Sequence, residues 1–163
     1  MVKIKVLKKD GLALPRYAHK SDAGFDIKGV SLKKIYRGSE EVDISEYQTT
    51  KDNCFYINQG ERALIGTNLF MEIPEGYYVE IKPKSGVNLK TGFVCSLGTI
   101  DAGYNGEIGL IMTNTTNKIL KVELNTYMAQ GLLKKVEVAD FEFTESLDKS
   151  ERGDGGFGST GVK

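Results

Sequence analysis

The chain has 163 residues, 40% of them hydrophobic, enough for one domain with its own core. Lys plus Arg and Asp plus Glu both number 22, so no global field favours a nucleic acid or an anionic membrane, and an anionic ligand has to be held by local charge. No apolar run approaches the ~18 residues of a membrane-spanning helix, and Cys54 and Cys95 make neither a disulfide framework nor a C-x-x-C pair, which fits a reducing cytoplasmic setting.

In chain order, residues 1–6 alternate Val2, Ile4 and Val6 with Lys3 and Lys5, which reads as a strand and not as the apolar core of a signal peptide. Asp10-Gly11 is a turn signal. Asp22-Ala23-Gly24-Phe25-Asp26 reads as a turn entering a strand, with Asp26 a solvated carboxylate on its own showing. Residues 33–58 break the alternation; they are charged, rich in Tyr and Thr, and read as an insertion or surface hairpin. Gln59-Gly60 and Pro74-Glu75-Gly76 are further turns, and residues 77–82 alternate again. Residues 84–91 are the one helical candidate, worth one or two turns. Pro83-Lys84-Ser85-Gly86 at its start suits either free amides facing phosphate or a simple N-cap.

The stretch from Gly98 to Glu107 sets a carboxylate, Asp101, three residues before an aromatic, Tyr104, in a glycine-bounded hairpin; an ordinary turn has the same look. Residues 107–112 and 119–124 alternate, and Ala129-Gln130-Gly131 puts one amide in an apolar strand, where a satisfied core Gln is the usual explanation. The pattern ends near Thr144 in a polar linker. The last twelve residues hold five glycines around Arg152, Phe157, Gly158, Ser159 and Thr160. This segment has no apolar stripe, so it reads as a flexible tail, yet it carries a phosphate fork, a base-capping ring and free amides. Many short strands separated by turns predict an all-β fold, a jelly-roll-like distorted barrel. Its body would span residues 1–143, with 144–163 as linker and C-terminal lid.

Taken together and in this order, these segments resemble the five motifs of the trimeric dUTPases. The resemblance is most specific at Ile100-Asp101-Ala102-Gly103-Tyr104 and at the glycine-rich tail, and weak over 33–58. It implies a homotrimer with three shared sites that hydrolyses dUTP to dUMP and pyrophosphate with Mg²⁺. Asp101 aligns with the carboxylate that activates water against the α-phosphorus, and Tyr104 with the ring under the deoxyribose that refuses a 2′-hydroxyl. Lys84, Ser85, Gly86 and Gln130 align with groups on the phosphate chain. Residues 93–99 align with the hairpin whose backbone reads uracil, and Gly98 and Ile100 count among the substrate contacts. Arg152 aligns with the grip on the γ-phosphate and Phe157 with the cover over uracil; Ser159 and Thr160 would add hydroxyl donors to phosphate, and Gly158 counts among the substrate contacts. No residue is implied to bind the metal directly; Asp26 aligns with a carboxylate near the metal's water shell.

Two departures stand out. Lys84 replaces an Arg and loses its bidentate fork. In Asn125-Thr126-Tyr127-Met128-Ala129-Gln130 only Ala129 and Gln130 match the fourth motif, and Tyr127 sits where an Arg is expected. A dCTP deaminase shares the segment around Asp101 but needs a glutamate where Ile111 stands. A nucleotide-dependent regulatory module, contacting a protein partner through 33–58, is the non-enzymatic alternative. A P-loop is ruled out, because the tail lacks Gly-Lys-Ser/Thr and no helix follows it.

Overall fold

Alternating segments become strands where an antiparallel neighbour takes their backbone groups and buries their apolar face. The computed structural model describes residues 1–49, 52–151 and 153–155. Among these, the strands are β1 (Lys5–Val6), β2 (Phe25–Gly29), β3 (Ser31–Arg37), β4 (Glu40–Val42), β5 (Gln48–Thr49), β6 (Cys54–Ile57), β7 (Arg62–Gly66), β8 (Met71–Glu72), β9 (Tyr77–Pro83), β10 (Phe93–Cys95), β11 (Gly98–Ile100), β12 (Gly109–Asn114), β13 (Leu120–Glu123) and β14 (Thr126–Lys135). A 3₁₀ turn spans Ile44–Glu46, and the single α-helix among the described residues, α1, is Ser85–Thr91, as the helical reading of 84–91 anticipates. None of the described helices is long and apolar enough to cross a membrane.

The strands form a five-stranded sheet in the order β10-β12-β7-β3-β4, a four-stranded sheet β11-β9-β14-β2, a three-stranded sheet β13-β6-β5 and the pair β1-β8. Their inner faces meet in one core, where Ile35, Phe55, Ile57, Ile65, Val79, Leu110 and Met112 are fully buried. The all-β expectation holds, but the closed barrel does not. β10 and β4, and β11 and β2, remain the edges of their sheets, and among the described residues no ladder of hydrogen bonds joins those edges into a ring. Alternation dictates strands and their inner faces; it carries no information on closure.

Three further expectations change. Residues 33–58 are not peripheral throughout. Most of β3 and all of β6 lie in this stretch and send Ile35, Phe55 and Ile57 into the core, while β4 and β5 between them add edge strands to two of the sheets. The charged outer faces of these strands mask the inward alternation. The two expected hairpins, over 93–99 and 98–107, do not form as such, because β10 pairs with β12 while β11 pairs with β9. Asp101 therefore sits on a crossing between two sheets. The last strand ends at Lys135, before Thr144, and leaves Val138, Phe141 and Phe143 exposed. Their apolar character continues the strand pattern, but among the described residues no strand pairs with them.

Candidate active site

The residues singled out by sequence fall into two groups, at opposite ends of β9. At its C-terminal end, β14 runs between β9 and β2, with Gln130 opposite Lys82 on one side and Asp26 on the other. Cross-strand partners project to one face, so Asp26, Gln130 and Lys82 share a surface. Lys84, the first residue after β9, pairs its ammonium with the Asp26 carboxylate. The Gln130 amide donates from Nε2 to the Pro83 carbonyl at 3.1 Å, so it is the satisfied, half-buried Gln and still presents its other atoms to the cleft. That cleft, of about 550 Å³, is bordered by Gly24, Asp26, Lys84 and Gln130.

Gly24 is a site residue that sequence reasoning passed over. A Cβ there would lie 2.8 Å from the Gln130 Oε1 and 3.2 Å from a Leu132 methyl, so glycine is what lets the amide lie flat against the turn. The Ala-Gly-Phe-Asp string was visible, but its partner lies on a strand more than a hundred residues later.

Helix α1 begins directly on this cleft. Its N-cap is Lys84, in extended conformation and with no side-chain cap, so Ser85 is inside the first turn, which sets aside the simple N-cap, one of the two readings its sequence allowed. The first helical bond runs from the Asn88 N–H to the Lys84 carbonyl. The N–H groups of Ser85 and Gly86 thus have no partner within the helix. A Cβ on Gly86 would meet nothing within 4 Å, so the backbone here is open to approach.

The second group follows β11. Gly98 pairs with Ile81 and Ile100 with Val79. Asp101 is exposed; its carbonyl accepts from the Tyr104 N–H at 3.2 Å, closing a turn in which Gly103 takes a φ of +85°. The Tyr104 hydroxyl donates to the Glu107 carbonyl at 2.9 Å, and the ring lies so close to Gly106 that a Cβ there would sit 2.5 Å from its oxygen. The ring is therefore pinned across the loop while remaining 45% exposed. Ile111, where a deaminase would need a glutamate, projects an apolar side chain outward from β12.

Within one chain these two groups do not meet. Lys84 lies five residues beyond Val79, the partner of Ile100, and Asp101 lies one residue further off in the opposite direction. At ~3.3 Å per residue the separation along the strand is roughly 16–20 Å. Arg152, Phe157, Gly158 and Ser159 lie outside the described residues.

The dUTPase family model matches residues 47–161. A deoxyuridine 5'-triphosphate nucleotidohydrolase of Clostridium tetani is 40% identical over 162 residues, spanning 98% of this chain and 96% of that protein. That of Clostridium acetobutylicum is 38% identical over 166 residues, spanning 100% of this chain and 99% of that protein. Among solved structures, the Staphylococcus bacteriophage 80alpha dUTPase with dUPNHPP aligns with a TM-score of 0.76 at 26% identity, over 99% of this chain and 100% of that one. The family match covers most of the chain and the relatives run its full length: the chain belongs to the dUTPase family.

Proposed function

We propose that this chain hydrolyses dUTP to dUMP and pyrophosphate, with Asp101 as the base that activates the attacking water. The observation that carries the activity is membership of the dUTPase family over nearly the whole chain. The exposed Asp101, on a turn braced by Tyr104, supports the role given to it. Asp101 takes a proton from water as the water oxygen bonds to the α-phosphorus; the bond from that phosphorus to the bridging oxygen breaks, and pyrophosphate leaves. The pinned Tyr104 ring forms the wall under the deoxyribose. The backbone of Gly98 and Ile100 faces the base. Lys84, Ser85, Gly86 and Gln130 hold the phosphate chain. Arg152 grips the γ-phosphate, while Phe157, Gly158 and Ser159 close over the nucleotide.

Mg²⁺ suits this set of donors when it travels with the substrate. Among the described residues there is no cluster of three or more acidic, His or Cys side chains that could hold it. Asp26 is paired with Lys84 and would meet the ion through its water shell. When bound, Mg²⁺ offsets the charge of the triphosphate.

The site is composite in this reading, made where subunits of a homotrimer meet, so that the Asp101 group of one chain faces the Lys84 group of another. The separation of the two groups along β9 supports this. So do Val138, Phe141, Phe143 and Leu147, which follow β14 fully in solvent and would be covered by a neighbour. Residues 33–58 are the stretch that a protein partner would use, and a cytoplasmic setting suits the two buried cysteines.

Two measurements test this. With dUTP, dCTP, dTTP and UTP plus Mg²⁺, pyrophosphate release is expected from dUTP alone, with no ammonia. Asp101→Asn should keep nucleotide binding and lose turnover by about a thousandfold or more. Equal amounts of Asp101→Asn and Lys84→Glu protein, unfolded and refolded together, should recover activity that neither has alone, because mixed trimers contain some sites with both native residues. No recovery would mean each chain builds its own site.

A further inference from the structure

Tyr127 occupies the place of an expected arginine, and the structure gives it a different task. β14 is regular except at one point: Tyr127 is opposite Lys28 and Ala129 opposite Ile27, so Met128 is an extra residue, a bulge. Met128 and Ala129 are both buried, at 3% and 0% exposure. In an unbroken strand Tyr127 would point to the same side as Ala129, into the core. The bulge reverses this. Tyr127 and Gln130, three residues apart, come out on one face, the face that carries Asp26 and Lys28 at alternate positions of β2.

There the Tyr127 ring gathers two lysines. The Lys28 ammonium lies 4.9 Å from the ring centroid and the Lys84 ammonium 5.9 Å, both within cation–π reach. Asp26 balances Lys84. Lys28, on an exposed position of β2, has no carboxylate among the ion pairs of the described residues. Among the described residues the ring's negative face is thus its one counterpart, and it leaves the positive charge uncancelled. An arginine at 127 would set a third cation against these two; a tyrosine lets them share one wall.

We propose that Lys28 is a phosphate-binding cation of this site, held there together with Lys84 by Tyr127 as a positioning residue. This rests on the reading of the Asp26–Lys84–Gln130 cleft as the phosphate end of the site. Lys28 then supplies, from β2, the charge that β14 lacks.

The test is steady-state kinetics on full-length Lys28→Gln, Tyr127→Leu, Tyr127→Phe and the double variant Lys28→Gln/Tyr127→Leu, with inorganic tripolyphosphate as a competing ligand and Lys84→Gln as reference. Lys28→Gln and Tyr127→Leu should each raise KM for dUTP roughly five- to tenfold, with kcat held within about twofold. Each should weaken tripolyphosphate inhibition by a similar factor and leave inhibition by deoxyuridine, which has no phosphate, unmoved. Tyr127→Phe, which keeps the ring face, should restore the low KM. The double variant should be no worse than the weaker single, since both remove one arrangement. If Lys84→Gln raises KM while Lys28→Gln does not, the proposal falls and the phosphate cleft stands. If neither does, the cleft itself has been misassigned. A Tyr127→Leu protein that loses kcat and thermal stability beside a neutral Lys28→Gln would mean the ring only packs, which also overturns the proposal.

Discussion

Replacing Glu61 by Gln tests whether one buried carboxylate ties the segment between β3 and β6 to the sheets. Glu61 is 1% exposed. Its Oε2 accepts from the Asn58 N–H at 2.8 Å, and its Oε1 from the Tyr47 hydroxyl at 2.9 Å and from Arg37 Nη2 at 2.9 Å. Gln keeps one oxygen for Tyr47 and Arg37 but turns an NH₂ toward the Asn58 N–H, leaving a buried donor facing a donor. A lost charge-assisted bond and an unsatisfied buried group would each cost about 1–3 kcal/mol. Arg37 is 65% exposed and can turn to water, which discounts the ion pair. A net loss of about 2–3 kcal/mol follows, or a fall of roughly 4–12 °C in Tm for a chain of this length. The assay is thermal melting by circular dichroism at one protein concentration, across pH.

The pH dependence has a definite sign. Burial pushes the Glu61 carboxyl up, but the Asn58 N–H and side chain, Arg37 and Tyr47 outweigh it and hold it below its ordinary value. A carboxylate lowered on folding contributes stability that is fully present above its unfolded value, ~4.3, and is lost as pH falls through the folded one. Gln does not titrate. The gap between the two proteins should therefore be constant from neutral pH down to about 5.5 and narrow below about 4. A Gln variant melting within about 1 °C of the native chain at pH 7, or a gap that persists undiminished in acid, would refute the clamp.

Two other outcomes are expected. Gly106→Ala puts a methyl 2.5 Å from the Tyr104 hydroxyl oxygen and 2.7 Å from its Cζ, so the ring must swing aside; UTP hydrolysis should rise relative to dUTP with little change in Tm, and an unaltered preference would count against Tyr104 as the sugar wall. Burial pushes the Cys95 thiol up to about 11 and leaves it 3% exposed. Alkylation of Cys95 at pH 8 should then be slower than in the unfolded chain by roughly two orders of magnitude from the thiolate fraction alone, and labelling at the denatured rate would mean that β10 opens freely.

Much of this was legible along the chain. The helical turn over 84–91, the strands at 77–82 and 119–124, and the glycine turns at Gly60 and Gly76 follow from period and turn chemistry, which act between near neighbours. Misreadings arose where a distant partner decides. Residues 33–58 looked like an insertion because their outer faces are charged, while Ile35, Phe55 and Ile57 find their core only through β7 and β13. Between the two readings of Ser85, residue type could not choose; Lys84 holds the cap through the exit of β9.

The motif residues, and with them the family, were thus determined by the sequence alone, because side-chain chemistry and local order are written directly in it. Which of them meet was decided by strand pairing: β11 on β9 carries Asp101 away from Lys84, Gly24 receives the amide of Gln130, and one extra residue at Met128 turns Tyr127 from the core to the lysines. Side-chain direction in a strand reverses with every residue, so a single bulge or shift of register changes the face of everything beyond it. That change is settled only when the partner strand is in place.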